Sequence, residues 1–158
     1  MTKAVKGIYT LLIKLDRSQT ITIGKMGKIS FSVGYYAYVG SALNGLDGRI
    51  VRHLRKDKLF HWHIDYFLQK AQVAEVLWSS TDKNEECALA GYHMGKLFPI
   101  PRFGCSDCRC RSHLFFSKDR RYLRKTVKDS FTKSNLLFAA RDVSGNKNAL
   151  GGTDFFRR

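Results

Sequence analysis

The first forty residues restrict the fold more than any other part of the chain. Gly7 to Leu15 reads G-I-Y-T-L-L-I-K-L, rich in β-branched and large apolar residues, and predicts a strand. Asp16 to Gln19 is a turn. Ile21-Thr22-Ile23 alternates and predicts a second, short strand, closed by Gly24 to Gly27. Ile29 to Val33 alternates again, and Gly34 leads into the aromatic run Tyr35-Tyr36-Ala37-Tyr38-Val39. Such short connections join antiparallel neighbours. The pattern predicts an antiparallel meander of three or four strands.

Helices and strands then mix, which makes the class α+β: a small, mostly antiparallel sheet flanked by helices. A loop at 44–48 leads to a helix over 48–56, with Asp47 as its expected N-cap. Ile50, Val51 and Leu54 fall on one side of it. Arg49, Arg52, His53 and Lys56 fall on the other at helical spacing. Such a face is usually just solvated. Four basic groups with no acid among them repel one another, however, which favours a face turned to phosphate. Arg52, Arg55 and Lys56 are the expected nucleic-acid contacts. A helix follows from His61 to about Gln72, a strand from Val73 to Trp78, and a helix over 83–97 capped by Thr81 or Asp82. The last of these should bury Cys87, Ala90, Gly91, Met94 and Leu97. Pro99 and Pro101 stop it. A Cys-rich loop (103–111) precedes a last strand at 113–116.

The expected organisation is one domain over 1–117 and a basic extension over 118–158. Of the net charge of +15, residues 111–158 carry +8, from 12 Lys/Arg and 4 Asp/Glu. Asp119 to Phe131 could form a basic helix with Leu123, Val127 and Phe131 on one face; beyond Ala140 the Gly/Asn-rich chain reads as loose. A charge of +15 favours polyanions, nucleic acid before an anionic membrane. No apolar run approaches the roughly 20 residues of a membrane span, and no signal peptide precedes the first strand, so a cytoplasmic location is expected. Glutamate is restricted to Glu75, Glu85 and Glu86, which leaves few carboxylates for a metal.

Two groups of potential metal ligands stand out. His61-x-His63-x-Asp65 reads as a helix N-terminus with polar caps around Trp62 in preference to a metal site. Cys105-x2-Cys108-x-Cys110-x2-His113 is too tightly spaced for a standard zinc ribbon. It reads either as small buried thiols or as a Zn²⁺ site built from Cys108, Cys110 and His113, with Cys105 or Cys87 as a further ligand.

Gly7-Ile8-Tyr9 and Tyr38-Val39-Gly40 resemble the two signature tripeptides of the GIY-YIG nuclease superfamily. Arg49 follows Tyr38 by 11 residues and His53 follows Arg49 by four, close to that family's helix spacing. Glu86 is the best match to its metal-holding glutamate. Further blocks, including H-W-H-I-D-Y at 61–66 and S-D-C-x-C-x-S-H-L-F at 106–115, resemble one branch of the superfamily. Members of that branch are sometimes fused to endonuclease III-type repair enzymes. The resemblance covers about residues 6–117. Tyr9 and Tyr38 are further apart than is usual in the family, so a strand or hairpin must be inserted between them. The polar residue that the wider family carries near the domain end has no evident counterpart.

The resemblance implies a DNA endonuclease dependent on Mg²⁺ or Mn²⁺. Tyr9 would accept or relay the proton of the attacking water, and Tyr38 would hydrogen-bond that water or the phosphate. Arg49 would stabilise charge on the phosphoryl oxygens, His53 would shuttle a proton or bind phosphate, and Glu86 would hold the metal. A phenol is a poor base at its reference pKa of about 10, so Tyr9 needs a nearby cation. Tyrosines on strands usually only pack; the accompanying Arg, His and Glu favour chemistry here. The expected partner is DNA, with an endonuclease III-type protein as a further one and no membrane; the oligomeric state is open. Two other readings stand beside it: a nucleic-acid-binding module that keeps the fold without turnover, and a zinc-stabilised interaction domain.

Overall fold

The computed structural model describes residues 4–106 and 108–145. Strand β1 (Gly7–Leu15) is followed by β2 (Gln19–Thr22) and β3 (Lys28–Phe31), then β4 (Gly34–Ala42). Helices α1 (Leu46–Leu54) and α2 (His63–Leu68), strand β5 (Gln72–Ser80), helix α3 (Glu86–His93) and strands β6 (Phe98–Pro99) and β7 (Leu114–Ser117) come next. Helix α4 (Arg120–Lys133) and strand β8 (Ala139–Asp142) end the described chain. Six strands form one antiparallel sheet in the order β6-β7-β4-β1-β5-β8. The architecture is α+β, as the mixed pattern implied.

The expected meander is modified at its middle. β2 and β3 pair only with each other, as a separate two-stranded ribbon, and β1 pairs directly with β4. The stretch between the two tripeptides therefore includes a hairpin, β2–β3, set aside from the sheet, and the tripeptides lie on neighbouring strands. The hairpin is anchored by apolar side chains: Ile21, Ile23 and Phe31 are buried, and Phe31 packs on Phe67 of α2 with ring centroids 4.7 Å apart.

Strand β1 is central, and all its residues except Lys14 are buried. Because side chains alternate across a strand, it feeds two cores. Tyr9, Leu11, Ile13 and Leu15 face a layer made by α1, α2 and the ribbon, including Ile50, Ile64 and Phe67. Ile8 and Leu12 face the other layer, with Leu89 and Ala90 of α3 and Leu123, Val127 and Phe131 of α4. These last three match the predicted apolar face, and each stabilises by about 1.5–3 kcal/mol when fully buried. The packing consequently does not divide at 117/118. Helix α4 roofs one core, and β8 adds an edge strand beside β5. Residues 146–158, expected to be loose, lie outside the described residues.

Several helices differ from their expected extents, each for a local reason. α1 starts at Leu46, so Asp47 lies inside its first turn, and Gly45 at φ 130° supplies the entry that a residue with a Cβ adopts poorly. It ends at Leu54, which leaves Arg55 and Lys56 off the helix. α2 has only six residues: the Asp65 carboxylate takes the N–H groups of His61 and Trp62 at 2.7 and 2.9 Å, fixing its start two residues late. In α3 the Thr81 hydroxyl accepts from the Lys83 N–H at 3.1 Å and makes a turn instead of a cap, so the helix waits until Glu86. Its buried residues are Leu89, Ala90 and His93, whereas Cys87 and Gly91, expected inside, are exposed. His93 holds the deep position by packing edge-on against Phe115 at 5.0 Å. β7 is followed by a further strand, β8, so it is not the last.

Candidate active site

Register brings the two signature tyrosines together. Tyr9 lies opposite Gly40, and Leu11 opposite Tyr38, so Tyr9 and Tyr38 are diagonal neighbours on one sheet face. The glycines have a steric reason. A Cβ on Gly40 would sit 2.4 Å from the Tyr9 hydroxyl oxygen and 2.5 Å from Cζ: the Tyr9 ring lies across the bare backbone of Gly40. A Cβ on Gly7 would meet Leu46 Cδ1 and the Ser79 carbonyl, both at 2.4 Å, so Gly7 lets the start of α1 approach the sheet.

Helix α1 presents Arg49 and His53 to these rings, one turn apart. The Tyr9 hydroxyl is 2.6 Å from His53 Nε2, and the Arg49 guanidinium lies near enough to pull the phenol's pKa down. The His53 ring stands edge-on to Tyr38 at 6.1 Å. His53 Nδ1 is buried with no hydrogen-bond partner. The two groups share this one hydrogen bond between Tyr9 and His53 Nε2, whose donor is set by the His53 tautomer.

Burial dominates the electrostatics. Tyr9 is 1% exposed and Tyr38 8%. Burial pushes both phenols well above the usual range; the Arg49 guanidinium pulls both down, and the Glu86 charge adds to the rise. Burial, assisted by the Lys58 ammonium, pushes His53 down to about 3, so it is neutral at physiological pH. It donates or accepts one hydrogen bond and carries no charge to phosphate.

Glu86 opens α3 and reaches the site through Ser41, next to Gly40. The Ser41 hydroxyl donates to Glu86 Oε2 at 2.8 Å, and the Ser41 carbonyl accepts from Arg49 Nη1 at 3.1 Å. Glu86 Oε1 lies 2.5 Å from His113 Nδ1. Of the other two glutamates, Glu75 pairs with Arg124 at 2.9 Å and Glu85 stands just before α3 without a side-chain cap bond. Tyr9, Tyr38, Arg49, His53 and Glu86 thus gather from β1, β4, α1 and α3. Ser41 is the connecting residue that sequence reasoning passed over, although it sits inside the Y-V-G-S-A block.

Two of the three expected nucleic-acid contacts are engaged within the protein. Arg52 makes a two-pronged pair with Asp65, 2.9 Å at each oxygen. Lys56 folds back onto the carbonyls of Leu68 and Ala71 that the end of α2 leaves over. Arg55 is exposed. Burial works to raise the pKa of Asp65, but Arg52 and the His61 and Trp62 N–H groups outweigh it and hold Asp65 at about 2. His63 Nδ1 accepts from the Gly104 N–H at 3.0 Å. His61, His63 and Asp65 therefore serve the chain around Trp62, as the capping alternative had it. Trp62 itself is flanked by two guanidiniums, with Arg49 and Arg52 Cζ each 4.3 Å from its ring. Cys108, Cys110 and His113 do meet, joined by Cys87 and not by Cys105.

The fold and this site define an α+β domain whose two central strands set a tyrosine pair beneath an Arg/His helix. The chain belongs to the family described as a domain of unknown function, DUF123, whose model matches residues 8–136. That span runs through β7 and all of α4, consistent with one packed unit past residue 117. Neither a search of curated proteins nor one of solved structures returns a match. Among the described residues, no helix is long and apolar enough to cross a membrane.

Proposed function

We propose that this protein is a metal-dependent DNA endonuclease of the GIY-YIG type. The proposal extends to the branch associated with endonuclease III-type repair enzymes, and to DNA and such enzymes as partners. The observation that carries it is convergence: the Tyr9 hydroxyl meets His53, the Arg49 charge acts on the same phenol, and Ser41 joins Arg49 to Glu86. A purely structural tyrosine has no need of such a set.

In this reading the Tyr9 oxygen, held by His53 and favoured as an anion by the Arg49 charge, orients the attacking water or takes its proton. Arg49 is the residue that shares charge with the phosphoryl oxygens. Tyr38 limits how far the water can wander. His53 acts by hydrogen bonding, since burial keeps it neutral. Glu86 is the residue fitted to Mg²⁺ or Mn²⁺: its side chain is 21% exposed, and each carboxylate oxygen keeps a lone pair beyond those facing Ser41 and His113. A hard divalent cation there would polarise a phosphoryl oxygen and acidify a bound water. The net charge of +15 suits a polyanionic substrate.

The test is cleavage of supercoiled, branched and damaged DNA with Mg²⁺ or Mn²⁺. Nicking is expected from the wild type and not from Tyr9→Phe, Arg49→Ala or Glu86→Ala proteins that remain folded. Equal activity in wild type and Glu86→Ala would refute the metal assignment. One observation favours the runner-up, a DNA-binding module without turnover: Tyr9 and His53 are 1% and 3% exposed. That module would shift DNA in gels and cleave no structure.

A further inference from the structure

Four soft ligands from two separate segments meet at one point. Cys87 stands in the first turn of α3; Cys108, Cys110 and His113 come from the loop before β7. Their sulfur and ring-nitrogen atoms all lie within 4.8 Å of one another, and all three cysteines are free thiols. Zinc bonds of about 2.3 Å to sulfur and 2.0–2.1 Å to nitrogen put tetrahedral ligand atoms about 3.5–3.8 Å apart. Little closure separates the two arrangements, and the Cys108 Sγ to His113 Nε2 edge is already 3.3 Å. Cys105 stands aside, its thiol directed at the Phe103 carbonyl at 3.4 Å.

We propose that Cys87, Cys108, Cys110 and His113 bind one Zn²⁺, and that Glu86 is the positioning residue of that site. His113 is aimed for the task. With Nδ1 against Glu86 Oε1 at 2.5 Å, Nε2 is the atom turned to the thiols. A carboxylate on the far nitrogen fixes the tautomer and raises the basicity of a metal-bound histidine. Charge fits as well: three thiolates on a divalent ion leave one negative charge, and Arg102, Arg109 and Arg111 line the adjoining cleft with Cys108 and Cys110. That cleft is open and supplies an entry path. The described residues of the loop carrying three of the ligands form only turns, bends and irregular chain, so a bound ion would staple it to α3. A consequence, resting on the nuclease reading, is that zinc occupancy would set which Glu86 oxygen remains for the active-site metal.

The experiment reads metal without DNA, so it stands whether or not the protein cleaves. Wild-type protein kept reduced and away from chelators should hold one zinc per chain by mass spectrometry of its metals. Exchange for Co²⁺ should give the visible bands of a tetrahedral site, with a charge-transfer intensity matching three thiolates. Cys110→Ser should lose the metal, Cys105→Ser should keep it, and Glu86→Gln should weaken binding by about 10–100-fold with the thiolate band unchanged. Should Cys110→Ser fail to fold, the sulfur count from the wild-type cobalt spectrum decides the ligand set. The proposal is overturned by an absence of zinc together with no tetrahedral cobalt spectrum. It is also overturned if Cys105→Ser loses metal as Cys110→Ser does, or if Cys110→Ser folds and retains it.

Discussion

Replacing Gly40 by alanine should disable the site from beneath. The new methyl would lie 2.4 Å from the Tyr9 oxygen, 2.5 Å from Cζ and 2.9 Å from Cε2, against about 3.5–4.0 Å for a comfortable contact. The ring must move by about 1 Å, yet Tyr9 is 1% exposed and hemmed in. Overpacking of this kind costs about 1–3 kcal/mol. The displaced hydroxyl also leaves His53 Nε2, now 2.6 Å away, which strands two buried polar groups for a further 1–3 kcal/mol or so. Alanine recovers about 0.5–1 kcal/mol of chain entropy. A net loss of about 2–4 kcal/mol is expected, read by urea unfolding at constant slope. The decisive comparison is a double-mutant cycle. In a Tyr9→Ala protein the methyl enters vacated space and the loss should nearly vanish. In Tyr9→Phe it should persist, since Cζ still obstructs. Equal losses in wild-type and Tyr9→Ala backgrounds would refute the steric reasoning.

Acid should destabilise the fold earlier than carboxylate titration alone would. Burial depresses His53 to about 3 and His93 to about 4, against about 6.5 unfolded, so the unfolded chain binds these protons first. Their contribution is full above about pH 6.5 and declines as pH falls toward 4, by up to about 1.4 kcal/mol per group per unit; flat stability between pH 7 and 5 would contradict it. Asp65→Ala should cost about 3–5 kcal/mol, because Arg52 and two N–H groups lose their acceptor, with Arg52→Ala in a similar range; calorimetric melting compares them. Phe131→Ala should cost about 3–5 kcal/mol, and truncation before α4 should abolish cooperative unfolding, since α4 covers a core. A dispensable α4 would restore the boundary at 117.

Much of the fold could be read from local pattern. β1 matches its predicted span because nine consecutive residues suit a strand buried on both faces. The apolar spacing of Leu123, Val127 and Phe131 located α4 and its buried face. The choice of Tyr9, Tyr38, Arg49, His53 and Glu86 came from the resemblance of their motifs to the GIY-YIG superfamily. What was not legible depended on partners distant in sequence. Arg52 and Lys56 look like phosphate ligands until Asp65 and the end of α2 are in place. Cys87 looks like a core residue of α3 until His93, polar by type, takes that place against Phe115. Ala139 to Asp142 carries little strand propensity and becomes β8 only because β5 offers an unpaired edge.

Both margins of the six-stranded sheet are poor templates for a visiting strand. At one margin β6 is two residues long and includes Pro99, which has no N–H to give. At the other, β8 is four residues long and ends in Arg141 and Asp142. Self-association by edge-to-edge stacking is thereby discouraged, and a peptide could gain few main-chain bonds by lying alongside. At the six-stranded sheet, recognition is left to the flanking helices and loops, with side chains in place of backbone.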